Sequence, residues 1–100
     1  GSEMCIRDRD NLQTINLIGD LDVYSEDEFK TFINEEIDPN KNITIDLKDL
    51  DYLDSTGLGM FMNIYKMLND NNKEIKIINA KDNIKKLFRI TDLTDLFDVE

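Results

Sequence analysis

From Leu12 onward, apolar and polar positions follow one another with regular periods. In "LQTINLIG", Ile15 and Leu17 fall on one side of the chain and Thr14 and Asn16 on the other, the period of a half-buried strand. "GDLDVY" then turns the chain, and Ser25 with Glu28 three residues later reads as a capping box that opens a helix. Phe29, Phe32, Ile33 and Ile37 supply the apolar stripe of that helix. Pro39 ends it, because the residue before a proline, Asp38, is pushed out of helical geometry. "NITIDL" alternates again, with Ile43, Ile45 and Leu47 facing one way and Thr44 and Asp46 the other. After the connection "KDLDYLDSTG", a second helix is predicted from about Ser55 to Leu68, stopping in "NDNN". "EIKII" predicts a third strand with Ile75 and Ile77 inward and Lys76 outward. Asp82 is placed to cap a third helix that carries Ile84, Leu87 and Phe88 on one face. In the tail "LTDLFDVE", Leu96, Phe97 and Val99 fit either a short helix or an edge strand.

Alternating strands and helices imply parallel strands joined by right-handed crossovers. Strands buried on both faces read as continuous apolar runs. These strands alternate instead, and one side collects Thr14, Asn16, Thr44, Asp46 and Lys76. The expectation is a single α/β domain with a mostly parallel sheet, helices packed on one face and the other face largely wet. The first nine residues stand apart. Gly1-Ser2 resembles the scar of a cleaved tag, and "MCIRDR", Met4 to Arg9, has neither strand nor helix period and resembles the translated end of a sequencing-library adapter. Residues 1–9 are therefore expected to be extraneous and residues 10–100 to be the domain, with a native N-terminus lost; the alternative is an ordinary polar N-terminal segment.

Composition narrows the function. One hundred residues, 40% of them hydrophobic, suit one core. No apolar run approaches the roughly 18 residues of a membrane span, and no secretory leader is expected ahead of the domain. With 22 acidic and 12 basic residues the net charge is -10, which repels nucleic acid and anionic membranes and favours a partner with a basic or apolar face. The sole cysteine, Cys5, excludes an internal disulfide and fits a reducing cytoplasm. Without histidine or a cysteine pair, zinc sites and histidine acid–base catalysis are excluded.

The loops after the first two native strands should emerge at one end of the sheet, where open α/β folds place their sites. That would bring "GDLD", Gly19 to Asp22, beside "DLDYLDSTG", Asp49 to Gly57, as an acidic edge carrying Ser55 and Thr56. A purely structural account has Asp54 or Ser55 capping the second helix while Gly57 and Gly59 pack its start closely. It leaves unexplained why three polar residues and two glycines gather where glycine is a poor helix former. A second account is a magnesium-dependent aspartyl-phosphate receiver domain built on Asp20, Asp22 and Asp46. That site needs a late lysine, and none follows Leu93.

The third account rests on resemblance. "GDLD", "DLKDLDYLDSTGLGMF" and "KIINAKDNIKKLFRITDLTDLFDV" together resemble the STAS domain family, and more closely its bacterial anti-sigma-factor antagonists, from about Leu12 to the C-terminus. The family's first strand finds no counterpart. The resemblance implies partner switching: the unphosphorylated antagonist binds an anti-sigma factor that is also a serine kinase, phosphorylation breaks that complex, and a serine phosphatase resets it. The acceptor would be Ser55, with Thr56 in a slot where many relatives carry a second serine and Asp22 beside the site. Asp20, Asp22, Asp54, Thr56, Gly57, Met60 and Ile64 are the expected partner-binding residues. No cofactor and no metal are implied, a homodimer is left open, and a scaffold domain of a larger STAS assembly is the alternative within the family. Physical chemistry agrees, since a helix N-terminus tolerates phosphate and the group adds roughly -1.5 to -2 of charge. Without a phosphate-cradling Gly-Lys loop the chain reads as a substrate, not an enzyme. Finally, Met60, Ile64 and Met67 widen the apolar arc of the second helix beyond one stripe; neighbouring helices are expected to bury part of it, and the sharper expectation is that some of it forms an exposed patch for a protein partner.

Overall fold

The computed structural model describes residues 2–99. In chain order it contains β1 (Ser2–Arg9), β2 (Leu12–Leu21), α1 (Glu26–Glu36), β3 (Asn42–Asp46), β4 (Leu50–Leu53), α2 (Ser55–Asn69), β5 (Ile75–Ile78), α3 (Asp82–Ile90) and β6 (Asp98–Val99). Short 3-10 turns occupy Val23–Ser25 and Leu93–Asp95. The sheet runs β1-β2-β3-β5-β6, with β4 also paired to β2. Every pairing is parallel except β1 with β2.

Alternation decides which face is covered. Ile15, Leu17, Ile43, Ile45, Ile75 and Ile77 are buried, whereas Thr14, Asn16, Thr44, Asp46 and Lys76 between them are only half-buried. All three helices therefore share the apolar face, as the pattern predicts, and the other face carries an open groove lined by Arg7, Arg9, Leu12, Thr14, Asn16, Asp46 and Lys48. Phe61 of α2 holds the helical layer together: its ring meets Phe29 of α1 at 6.3 Å, Phe88 of α3 at 5.7 Å and Phe97 at 6.3 Å, all edge to face. Such pairs contribute about 0.5–1.5 kcal/mol each beyond their buried area. The α1 stripe forms as expected, with Phe29, Ile33 and Ile37 buried and Phe32 half-buried.

Several local expectations change. Residues 2–9 form a strand in full register with β2, from Ser2 opposite Gly19 to Arg9 opposite Leu12. Pairing of this kind is made by the backbone, so the weak side-chain pattern did not forbid it; only Met4 and Ile6 pack partly on the core. Lys41 ties this strand down by bonding Asp8, a hydrogen bond that holds its ammonium pKa above the ordinary lysine value. "DLDYL" is not a plain connection, because Leu50–Leu53 pairs with the end of β2 where β3 leaves off. Helix starts differ too: Ser25 makes no side-chain cap for α1, and Asp82 is the first residue of α3 rather than its cap. The tail divides between a 3-10 turn and β6, with Phe97 buried and Leu96 exposed. Gln13, on the inward side of β2, is 1% exposed and accepts a hydrogen bond from the Asp38 backbone N–H at 3.0 Å, which fixes the exit of α1.

Candidate functional site

The two acidic loops meet because β2 and β4 are neighbours. Gly19 has φ 93°, a left-handed conformation that favours glycine, and the β2–β4 register shifts between Gly19 and Asp20. The Gly19 N–H donates to the Asp49 carbonyl at 3.0 Å, Asp20 then pairs with Tyr52, and Leu21 pairs with Leu53. One residue on, the Asp54 N–H donates to the Leu21 carbonyl at 3.3 Å. "GDLD" and "LDSTG" are thus fixed side by side by backbone bonds.

Asp54 starts α2. Its backbone is extended, its Oδ1 accepts from the Gly57 N–H at 3.0 Å, and its carbonyl accepts the first helical bond from Leu58 at 3.0 Å. A cap of this type contributes about 1 kcal/mol. Because the carboxylate does this work, Ser55 at the first helical position is exposed, and among the described residues nothing bonds its hydroxyl. Gly57 is buried where α2 crosses the sheet edge: a Cβ there would lie 2.3 Å from Leu53 Cδ1 and 2.7 Å from the Leu21 carbonyl oxygen.

Asp22 is also engaged within its own loop. Its Oδ1 accepts from the backbone N–H groups of Tyr24 at 3.0 Å and Ser25 at 3.3 Å, and its own N–H donates to the Ser25 hydroxyl at 3.0 Å. This reciprocal box, with Ser25 only 6% exposed, shapes the 3-10 turn that leads into α1. The turn presents two exposed residues with large apolar surfaces, Val23 and Tyr24, that the hydrophobic periodicity does not single out. Tyr24 is 93% exposed and Val23 56%, and Tyr52, opposite Asp20, is 51% exposed. The sequence carries a signal for them: "VY" interrupts a polar turn, and Tyr52 stands between a charged Asp51 and an apolar Leu53.

The expected site residues divide by burial. Asp20 and Ser55 are exposed; Asp22, Asp54 and Thr56 are half-buried; Gly57 is buried. Met60 and Ile64 do not form the expected surface patch, since they are 2% and 0% exposed within the core. The reason is the position of α2 between Phe29 of α1 and Phe88 of α3, where flanking helices bury more than one stripe. Met67 is half-buried beside Lys30, Ile33, Asn34 and Asn63. The acids of the receiver account are not gathered either. Asp46 accepts from the Lys48 N–H and the Asn79 side chain, and among the described residues no group of three or more histidine, cysteine or acidic side chains is placed to hold a metal ion. Among the same residues, no helix is long and apolar enough to cross a membrane.

Comparison with known proteins places this arrangement. The STAS domain family matches residues 4–100. The anti-sigma-B factor antagonist of Staphylococcus aureus is 38% identical over 92 residues, covering 91% of this chain and 85% of that protein. Among solved structures, a candidate anti-sigma factor antagonist from Thermotoga maritima superposes with a TM-score of 0.87 at 19% identity, over 96% of this chain and 84% of that one. The phosphorylated form of the Bacillus cell fate determinant SpoIIAA has a TM-score of 0.69 at 17% identity, over 98% of this chain and 91% of that one.

Proposed function

This chain belongs to the STAS domain family, in its anti-sigma-factor antagonist branch, and on that premise we propose that it is a cytoplasmic antagonist switched by phosphorylation of Ser55. Unphosphorylated, it binds an anti-sigma factor that is also a serine kinase; phosphorylated, it is released until a serine phosphatase removes the group. The observation that carries this reading is the division of labour at the start of α2. Asp54 caps the helix, so the Ser55 hydroxyl stays exposed and unbonded at a helix N-terminus. A structural serine would do the capping itself.

Phosphate fits there for electrostatic reasons. The first N–H groups of a helix lack backbone partners and carry about half a positive charge, which stabilises an adjacent anion. Outside that turn the surroundings are acidic, with Asp54 adjacent in the chain and the Asp20–Asp22 loop bonded alongside. Adding roughly -1.5 to -2 of charge converts an edge with exposed Tyr24, Val23 and Tyr52 into a strongly anionic one. No internal rearrangement is required for such a switch, because the modified group faces solvent.

The test combines the protein with ATP and the anti-sigma-B factor of Staphylococcus aureus, mapping phosphate by mass spectrometry and titrating both forms for binding. Phosphate on Ser55 with weaker binding of the modified form is expected. Ser55→Ala should keep its fold and resist inactivation, and Ser55→Asp should bind poorly. Phosphate on Thr56 alone, or equal affinity of the Ser55-phosphorylated and unmodified forms, refutes the switch.

A further inference from the structure

The two glycines of "STGLG" have different explanations, and only one of them lies inside the molecule. Gly57 is required by Leu53 and Leu21, whereas a Cβ at Gly59 would meet nothing within 4 Å beyond its chain neighbours and the backbone of its own helix. Gly59 is exposed, lies inside α2 and has no positive φ, so the fold makes no use of its freedom. Glycine in such a place weakens a helix relative to alanine.

Its position suggests what the missing side chain leaves clear. Residues four apart share a helix face, with Cβ atoms about 5–6 Å apart. The Cα–Cβ bond of a helical residue tilts toward the N-terminus, so a side chain covers the turn before its own Cα. On this face the preceding turn carries Ser55. A Cβ at position 59 stays more than 4 Å from the Ser55 hydroxyl, but a longer side chain would extend over it.

We propose that Gly59 is an access residue, whose absent side chain keeps the approach to the Ser55 hydroxyl open for phosphoryl transfer. This rests on the reading of Ser55 as the phosphate acceptor. In that transfer the bond from Ser55 Oγ to the γ-phosphorus of ATP forms as the bond from that phosphorus to the β–γ bridging oxygen breaks. ADP leaves, and the hydroxyl proton passes to a base of the kinase. The nucleophile and the leaving oxygen must stand in line across the phosphorus, a geometry that a side chain over the hydroxyl obstructs.

Two measurements test the proposal independently. The first needs no partner. In a Cys5→Ser, Ser55→Cys background, the rate of reaction with 5,5′-dithiobis(2-nitrobenzoate), taken per thiolate, is compared for glycine, alanine and leucine at position 59. Gly59→Leu should slow it by about tenfold and Gly59→Ala by less, since reaction follows exposure of the thiolate. Equal rates overturn the proposal. The second measurement follows phosphorylation of Ser55 by ATP and the Staphylococcus aureus anti-sigma-B factor, where Gly59→Leu should again lose about tenfold or more through misplaced approach. Melting temperatures are the control: Gly59→Ala should melt about 4–8 °C higher, and a lower melting temperature would show an intramolecular need for the glycine and overturn the proposal. If Ser55 of the unsubstituted chain takes no phosphate while the thiol rates fall as expected, the switch reading fails and the shielding stands. If Ser55 is phosphorylated at the same rate with glycine or leucine at 59, the access role fails and the switch stands.

Discussion

Gly57→Ala should destabilise the domain even though alanine is the better helix former, and the size of the effect follows from two contacts. The added methyl would sit 2.3 Å from Leu53 Cδ1 and 2.7 Å from the Leu21 carbonyl oxygen. Carbon atoms pack best at about 3.5–4.0 Å, so the first overlap exceeds an ångström. Leu53 could rotate, but it is only 2% exposed and has little room to do so. The Leu21 oxygen cannot retreat freely either, because it accepts the Asp54 N–H that aligns the helix start. Overpacking of this kind costs about 1–3 kcal/mol. Against it stands the gain of about 0.8–1 kcal/mol from replacing a helical glycine by alanine. Both contacts are below 3.0 Å and one is to backbone, so the cost falls in the upper part of that range; the net loss is then about 1–2 kcal/mol, and a domain of this size should melt roughly 4–16 °C lower. Urea titration followed by circular dichroism measures it, with an unchanged m-value identifying a native-state effect. A midpoint equal to or above that of the parent would refute the reasoning, since it would mean that the sheet edge and α2 separate at little cost. Phosphorylation of Ser55 should slow in the same variant, because the relief available is a shift of the first turn of α2.

Ile64→Lys should lose about 4 kcal/mol or more, because it removes a side chain that is 0% exposed and leaves an ammonium without a partner in the core; urea unfolding that shows less than about 1 kcal/mol would return Ile64 to the surface. Residues 1–9, which we propose are not native to the protein, should be dispensable for partner binding but not for stability. Deleting them removes the antiparallel partner of β2 and the Asp8 bonded to Lys41. A lower urea midpoint with unchanged affinity for the anti-sigma factor is expected, and a large loss of affinity would show that the segment has a functional role.

How far the sequence could be read depended on how each element is held. Strands and helices whose side chains alternate or recur against one core were legible: Ile15 and Leu17, Ile43 and Ile45, Phe29 and Ile33 all lie where their periods put them. Elements held by backbone pairing were not. Ser2–Arg9 and Leu50–Leu53 are strands because β2 offers bonds to them, and neither has a long enough apolar repeat to announce itself. The caps at Ser25 and Asp82 were misassigned, and at α2 the sequence left Asp54 and Ser55 both open. In "DVYS" the Ser25 hydroxyl is engaged with the Asp22 turn and leaves α1 uncapped, and in "DST" the aspartate takes the Gly57 amide. Helical periodicity tells which positions of α2 are apolar but not how many neighbours it has, so Met60 and Ile64 looked surplus to one stripe when they serve a second.

Which of the two residues caps α2 bears on the mechanism. Had Ser55 capped α2, its phosphorylation would have broken the bond that starts the helix, and the switch would have acted through local unfolding. With Asp54 as the cap, Ser55 can be modified while the Asp54–Gly57 bond at 3.0 Å, the β2–β4 pairing and the core remain as they are. The change then lies in the surface alone, so its effect on binding is set by what the partner presents. A chain of net charge -10 with exposed Tyr24, Val23 and Tyr52 at this edge suits a partner that combines a basic rim with an apolar floor. Basic groups outside the contact would be attracted to the phosphate, whereas a desolvated apolar floor cannot accommodate a dianion without a large penalty. On the proposed switch, release by phosphorylation follows where Ser55 meets an apolar or acidic part of the partner, or one too close for the added bulk, and not where it meets a basic margin.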